Sequence, residues 1–243
     1  MRKSTIGVGL GLLLIAVIGL YSGGTAGGPD PTRIFTNPRT AELARAIGSG
    51  RETRVEELVL AGANLSDRGQ GDVTLLQWAM LRGQPRVVKL LLDLGADPMQ
   101  RGYGTGTALH MAAQAKNKPY LEILLDHGAD PNARDGRLED SVLSEAIMNR
   151  NHEAVKLLLK YRADPNAANR AGETPLHTAA LINDYKDMLV LLEAGADLTL
   201  RDKAGHTFAR YFAITPKEEF MSSEAKSARR AVVEWLAHHG YQE

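Results

Sequence analysis

Apolar side chains recur along this chain with helical spacing, in pairs of short segments set off by turn residues. Val87-Val88-Lys89-Leu90-Leu91-Leu92, Leu121-Glu122-Ile123-Leu124-Leu125 and Val155-Lys156-Leu157-Leu158-Leu159 each predict a helix with one bulky apolar face. A shorter helical segment precedes each of them. Its inward positions are small, as at Ala79, Ala112-Ala113, Ala146 and Ala179-Ala180, which lets neighbouring helices approach closely. Gly62, Gly95, Gly128 and Gly195 follow the bulky helices, where only glycine takes the left-handed C′ conformation without steric cost.

The pairs are periodic. Gly62-Ala63-Asn64, Gly95-Ala96-Asp97, Gly128-Ala129-Asp130, Arg162-Ala163-Asp164 and Gly195-Ala196-Asp197 recur at intervals of 33, 33, 34 and 33. Thr74, Thr107, Ser141, Thr174 and Thr207 keep step at 33, 34, 33 and 33, so one extra residue sits between Arg134 and Ser141. A two-helix unit of this size cannot bury its own apolar face, so the units must stack and share a core. The pattern predicts an all-α repeat protein of about six helix-turn-helix units.

Thr174-Pro175-Leu176-His177-Thr178-Ala179-Ala180 and Thr107-Ala108-Leu109-His110-Met111-Ala112-Ala113, each followed after the second helix by Gly-Ala-Asp, resemble ankyrin repeats. The resemblance runs from about Arg39 to Gly240 and implies an ankyrin solenoid with hairpin tips. Its expected divisions are an N-terminal cap at 39–66 without a leading hairpin, then repeats at 67–100, 101–133, 134–167 and 168–200. A C-terminal cap follows at 201–243, with an insertion at 215–226 between its two helices. The resemblance also implies that His110 and His177 turn inward and bond a neighbouring turn backbone.

Ahead of the repeats, Arg2-Lys3, an almost unbroken apolar run at 6–21 and the small residues Ser22 to Gly28 form a three-part leader. Residues 1–28 are expected to be a cleaved signal peptide or an uncleaved hydrophobic helix that tethers the chain, with 29–38 as a linker. The run is short for a bilayer core of roughly 30 Å, so both fates stay open. Arg2 and Lys3 hold the N-terminus inside, which places the rest across the membrane, in a periplasm.

Composition narrows the function. Hydrophobic residues make up 44% of the chain and aromatic residues 5%, which suits a core of Leu, Ala, Val and Ile between close-packed helices. Lys+Arg and Asp+Glu are equal at 29 each, and the basic residues are scattered, so a nucleic-acid surface is not expected. Without cysteine, disulfides, thiolate metal sites and thiol nucleophiles are excluded. No catalytic or phosphate-cradling motif stands out, and neither an enzyme activity nor a cofactor is expected. Trp78, Met111 and Trp235 read as core residues. His127 and His152 read as helix-end residues needing no further role, and His206, His238 and His239 lack a zinc-ligand spacing.

The resemblance implies binding through hairpin tips and the exposed faces of the first helices, which form a concave groove. The tips carry Gln70, Asp72, Tyr103, Thr105, Arg137, Leu138, Glu139, Arg170, Glu173, Lys203 and His206. The first helices contribute Leu81, Arg82, Gln114, Ala115, Met148, Asn149, Leu181 and Ile182. Tyr103, Leu138, Met148, Leu181 and Ile182 exceed ordinary solvated-surface character and are expected at the centre of a footprint for one protein partner, the chain itself being a monomer. Exported ankyrin proteins of this kind resemble immunity proteins that neutralise secreted toxins, such as phospholipase effectors. Others resemble a periplasmic factor that supports catalase and peroxide resistance, and an envelope scaffold with several partners is the further alternative.

Overall fold

The computed structural model describes residues 30–116, 119–214 and 218–241. Among them are α-helices α1 (Pro31–Ile34), α2 (Pro38–Gly48), α3 (Glu52–Leu60), α4 (Leu75–Leu81), α5 (Pro85–Asp93), α6 (Ala108–Gln114) and α7 (Tyr120–Asp126). They continue as α8 (Val142–Met148), α9 (His152–Lys160), α10 (Pro175–Leu181), α11 (Tyr185–Glu193), α12 (Phe208–Phe212) and α13 (Ser223–His238). The expected hairpins shrink to tight turns: β pairing among the described residues is confined to single bridges, Arg68 with Thr74 and Arg134 with Ser141.

Three of the first helices begin on a residue of the Thr/Ser series for a local reason. Thr74 accepts a bond from the Gln77 N–H while the Gln77 side chain accepts one from Thr74 N–H, a reciprocal cap that satisfies two orphan donors. Thr174 and His177 repeat it, and Ser141 caps α8 through the Ser144 N–H. At the far end of the second helices Gly62, Gly95, Gly128 and Gly195 take φ between 82° and 92°, and Arg162 takes φ 67° in the same place.

Two compact units result. The first runs to Ala108 and includes Asp126–Ala129. In it α1 and α3 pack on α2, α4 packs on α2, and α5 on α4, around Leu43, Ile47, Val55, Leu75, Trp78, Val88 and Leu91. Trp78 meets its expectation as core. It is 1% exposed, donates its indole N–H to the Ala44 carbonyl at 2.8 Å, and meets Phe35 edge-on at 5.9 Å. Phe35 and α1 lie in the stretch expected as a linker, so this segment closes the open face of the first helix pair instead of trailing from it.

The second unit comprises Leu109–Leu125 and the chain from Asp130. In it α8 packs on α9 and α10, α10 on α11 and α12, and α11 on α9 and α13, burying Leu143, Ile147, Val155, Leu158, Met188, Leu191, Phe208 and Phe212. Side chains tie successive turns together: Asn132 Oδ1 accepts from Asp164 N–H at 2.8 Å and Asn166 Oδ1 from Asp197 N–H at 2.7 Å.

Three expectations need correction. Met111 is half-buried, although the in-phase Trp78 and Thr178 are buried. Trp235 is also half-buried, and its ring stacks flat on His239 at 3.8 Å. The insertion expected at 215–226 is not all loop, because Glu218–Phe220 forms a 3₁₀ turn and residues 223–226 are the first turn of α13. The leader, with its apolar run, lies outside the described residues, and no described helix is long and apolar enough to cross a membrane.

Replacing Trp78 with Ala removes a buried ring and its bond to Ala44. An expected loss of about 3–5 kcal/mol is measured by urea unfolding at neutral pH.

Candidate functional site

The tip and first-helix residues fall into three places. Tyr103 belongs to the first unit, half-buried in the 3₁₀ turn Tyr103–Thr105, with its N–H on Gln77 Oε1 at 3.0 Å. The same Gln77 closes the α4 cap, and Gly102 makes the approach possible, since a Cβ there would stand 2.2 Å from Gln77 Oε1.

Arg137, Leu138, Glu139, Arg170 and Glu173 gather in the second unit at the end where α8 and α10 begin. Asp135 Oδ1 organises this turn by accepting from the N–H groups of Leu138 at 3.0 Å and Asp140 at 3.1 Å. Glu139 takes a left-handed φ of 60°, a strained choice for a residue with a Cβ. Its carbonyl accepts from the Arg134 guanidinium, and its carboxylate meets Arg170 at 3.1 Å. The next turn is joined on directly: Arg170 N–H donates to the Leu138 carbonyl at 2.8 Å, and the Asn169 amide bridges Asp140 and Glu173.

Met148, Asn149, Leu181 and Ile182 gather where α8 and α10 end. Seven residues of helix separate the two groups by about 10 Å, so the expected footprint resolves into two ends of one helical face, with Tyr103 on the other unit. Leu138, Met148 and Leu181 are 48%, 42% and 50% exposed, while Ile182 is half-buried. Exposed apolar side chains recurring at one repeat position are contact material.

Between the ends stands Glu145, which the reading of the sequence passed over. It is half-buried and accepts from the Gln114 amide at 3.0 Å and the Asn149 amide at 2.9 Å. Burial pushes its carboxyl above the usual carboxylate range, the Asp140 and Asp135 charges add to this, and the two amides oppose it. Asp140 is raised in the same direction by burial, with Asp135 and Glu173 adding. The signal was present in the period: the positions in phase with Glu145 are Arg45, Trp78, Met111, Thr178 and Tyr211, none of them a carboxylate.

The histidines divide. His177 is buried as expected, with Nε2 3.1 Å from the His206 carbonyl, and His110 is buried too. His206 stands edge-on to Tyr211, whose hydroxyl donates to Asp202 and is pushed up to about 12 by that bond and by burial. His127 pairs with Asp93 at 3.1 Å. His152 corrects its expectation. It is the first residue of α9, the end where a helix disfavours a cation, and its ring turns to Asp187 at 3.0 Å. Among the described residues His152, Asp184 and Asp187 form the one group placed to share a metal ion, rather than the C-terminal histidines.

Because folding raises the proton affinity of Glu145, its stabilising contribution is full below the ordinary carboxylate pKa and is lost as pH rises through the raised value. Glu145→Gln keeps the amide contacts and removes the buried charge. It is expected to raise Tm by about 1–3 °C at pH 7 and to leave Tm unchanged near pH 3.5, read by calorimetry.

Comparison with known proteins agrees with this architecture. A family model described as ankyrin repeats (3 copies) matches residues 43–135, and a second, described as ankyrin repeats (many copies), matches residues 143–193. Protein PhlB of Serratia liquefaciens is 42% identical over 149 residues, which are 61% of this chain and 65% of that protein. The match thus spans just under two thirds of PhlB. Helix pairs at a period of 33, reciprocal caps on Thr and inward histidines, together with these two models, show that the chain belongs to the ankyrin repeat family.

Proposed function

We propose that this chain is an exported, monomeric protein-binding module that grips one protein partner, in the manner of an immunity protein that neutralises a toxin. Ankyrin repeats are protein-interaction modules, and such surfaces act by shape and complementary charge rather than by chemistry. The basic, apolar and small-residue order of residues 1–28 supports a periplasmic site of action, free after cleavage or tethered by residues 6–21.

Glu145 carries the proposal. A half-buried carboxylate with raised proton affinity on a first helix is poised to accept a lysine or arginine from outside. Leu138 on one side and Met148 with Leu181 on the other supply apolar flanks, and Glu139 and Glu173 extend the acidic rim. The fitting partner therefore presents a basic side chain between apolar ones. Arg137, Asn149, Arg170 and Ile182 border that contact. Tyr103, in the first unit, is by itself an aromatic side chain of the kind interfaces favour.

The full chain, tagged at its C-terminus and recovered from its native cells, is expected to bring down one stoichiometric partner. Met148→Asp with Leu181→Asp is expected to weaken that complex about 100-fold, and Glu145→Gln about tenfold with a flatter salt dependence. Several substoichiometric partners indifferent to both changes would replace the inhibitor reading with scaffolding.

Protease added to spheroplasts of cells producing the tagged chain is expected to digest it while leaving cytoplasmic proteins intact. Protection of the tag until the inner membrane is lysed would remove the export reading.

A further inference from the structure

We propose that His152, Asp184 and Asp187 form a binding site for a divalent transition-metal ion of the zinc class, with the imidazole Nδ1 and one oxygen of each carboxylate as ligands. The three donor atoms lie within 4.8 Å of one another. Nδ1 is 3.0 Å from Asp187 Oδ1 and 3.9 Å from Asp184 Oδ2. Zinc held at roughly 2.0–2.2 Å from each ligand needs the donors about 3.3 Å apart, so small side-chain adjustments complete the shell. One imidazole with two carboxylates is a borderline donor set suited to zinc or manganese.

The cluster departs from the repeat. Asp187 is in phase with Val87, Tyr120, Ala154 and Val232, all buried, and is itself 1% exposed. A stack of helices has no use for a carboxylate there. Its Oδ2 is buried without a hydrogen-bond partner, a position that costs stability unless something satisfies it. Burial first, and then the charge of Asp184, push the Asp187 carboxyl above the usual range, with His152 and Arg150 opposing. A dication answers both the orphan oxygen and the repulsion. The half-exposed edge of His152 gives it a way in and leaves a coordination position to water.

Other charges face the cluster. Lys186 and Glu224 pair with each other nearby, and Lys186 also feels Asp184 and Asp187 while Glu224 feels His152. Arg150 is the direct competitor. Its guanidinium stands 3.4 Å from Asp184 Oδ2 and donates to the Ile182 carbonyl at 2.5 Å. It does so from a left-handed φ of 51°, in phase with Gly83. Arg150→Gly therefore removes the competing cation and suits the backbone as well.

Calorimetric titration of the tag-free full chain with zinc chloride near pH 7.5 tests the site, beside Asp187→Asn, Arg150→Gly and the double variant His238→Ala, His239→Ala. One equivalent is expected to bind and to raise Tm. Asp187→Asn is expected to weaken binding at least tenfold and Arg150→Gly to tighten it severalfold, while the double histidine variant leaves it unchanged. The opposite signs expected for the two site variants separate a ligand effect from general damage to the fold, which far-ultraviolet dichroism follows in parallel. Binding that ignores Asp187→Asn, that disappears with the C-terminal histidines, or that is missing at about 1 mM zinc overturns the proposal.

Discussion

A pair of short helices exposes more apolar surface than it hides, and every repeat of this chain depends on a neighbour to cover the remainder. Within the second unit, Ala146 and Ala179 are fully buried where α8 meets α10, and larger side chains there would hold the helices apart. Leu158 and Leu191, also fully buried, serve α9 and α11. Phe35 and α1 close the face of the first helix pair, and on α13 Trp235 is half-buried and stacked on His239.

The chain breaks its own period in a few places. Glu145 stands where the other full repeats carry Trp78, Met111, Thr178 and Tyr211, Asp187 where they carry a buried apolar residue, and Arg150 and Glu139 hold left-handed backbones without being glycine. These four lie in the second unit, while Asp72, in phase with Glu139, is left-handed in the first. Departures from local consistency concentrate where a protein is used rather than where it is merely held together. The two carboxylates meet different surroundings: Glu145 is half-buried and bonded by two amides, while Asp187 is sealed against Asp184 and His152.

Rigidity links the fold to binding. The turns at Asp135–Asp140 and Asn169–Glu173 are joined by the bond from Arg170 to the Leu138 carbonyl, by the Arg170–Glu139 ion pair and by the Asn169 bridge. A surface already ordered before a partner arrives loses less conformational freedom on binding. Exposed ion pairs are individually weak, so the backbone bond and the part-buried amide contacts hold this rim, with the Arg170 pair adding orientation.

The period of 33, the two helices in each repeat, their Thr caps and their glycine stops were all legible in the sequence, because each follows from backbone sterics and local hydrogen bonding. The inward role of His177 was legible too, since its motif fixes the bonds it makes. The single residue inserted before Ser141 was visible as a count, but not the left-handed φ of Glu139, which falls two residues before the cap as the left-handed Asp72, Gly172 and Gly205 do. Tertiary packing decided that Leu138 and Met148 sit at opposite ends of one helical face, that Phe35 belongs to the first core, and that the 215–226 insertion partly lengthens α13. It also brought Asp184 and Asp187 onto His152 across a gap of more than 30 residues. Local sequence specifies which way a side chain leaves its own helix. Which charged group it then meets depends on the neighbouring repeat, and that is set only when the helices stack.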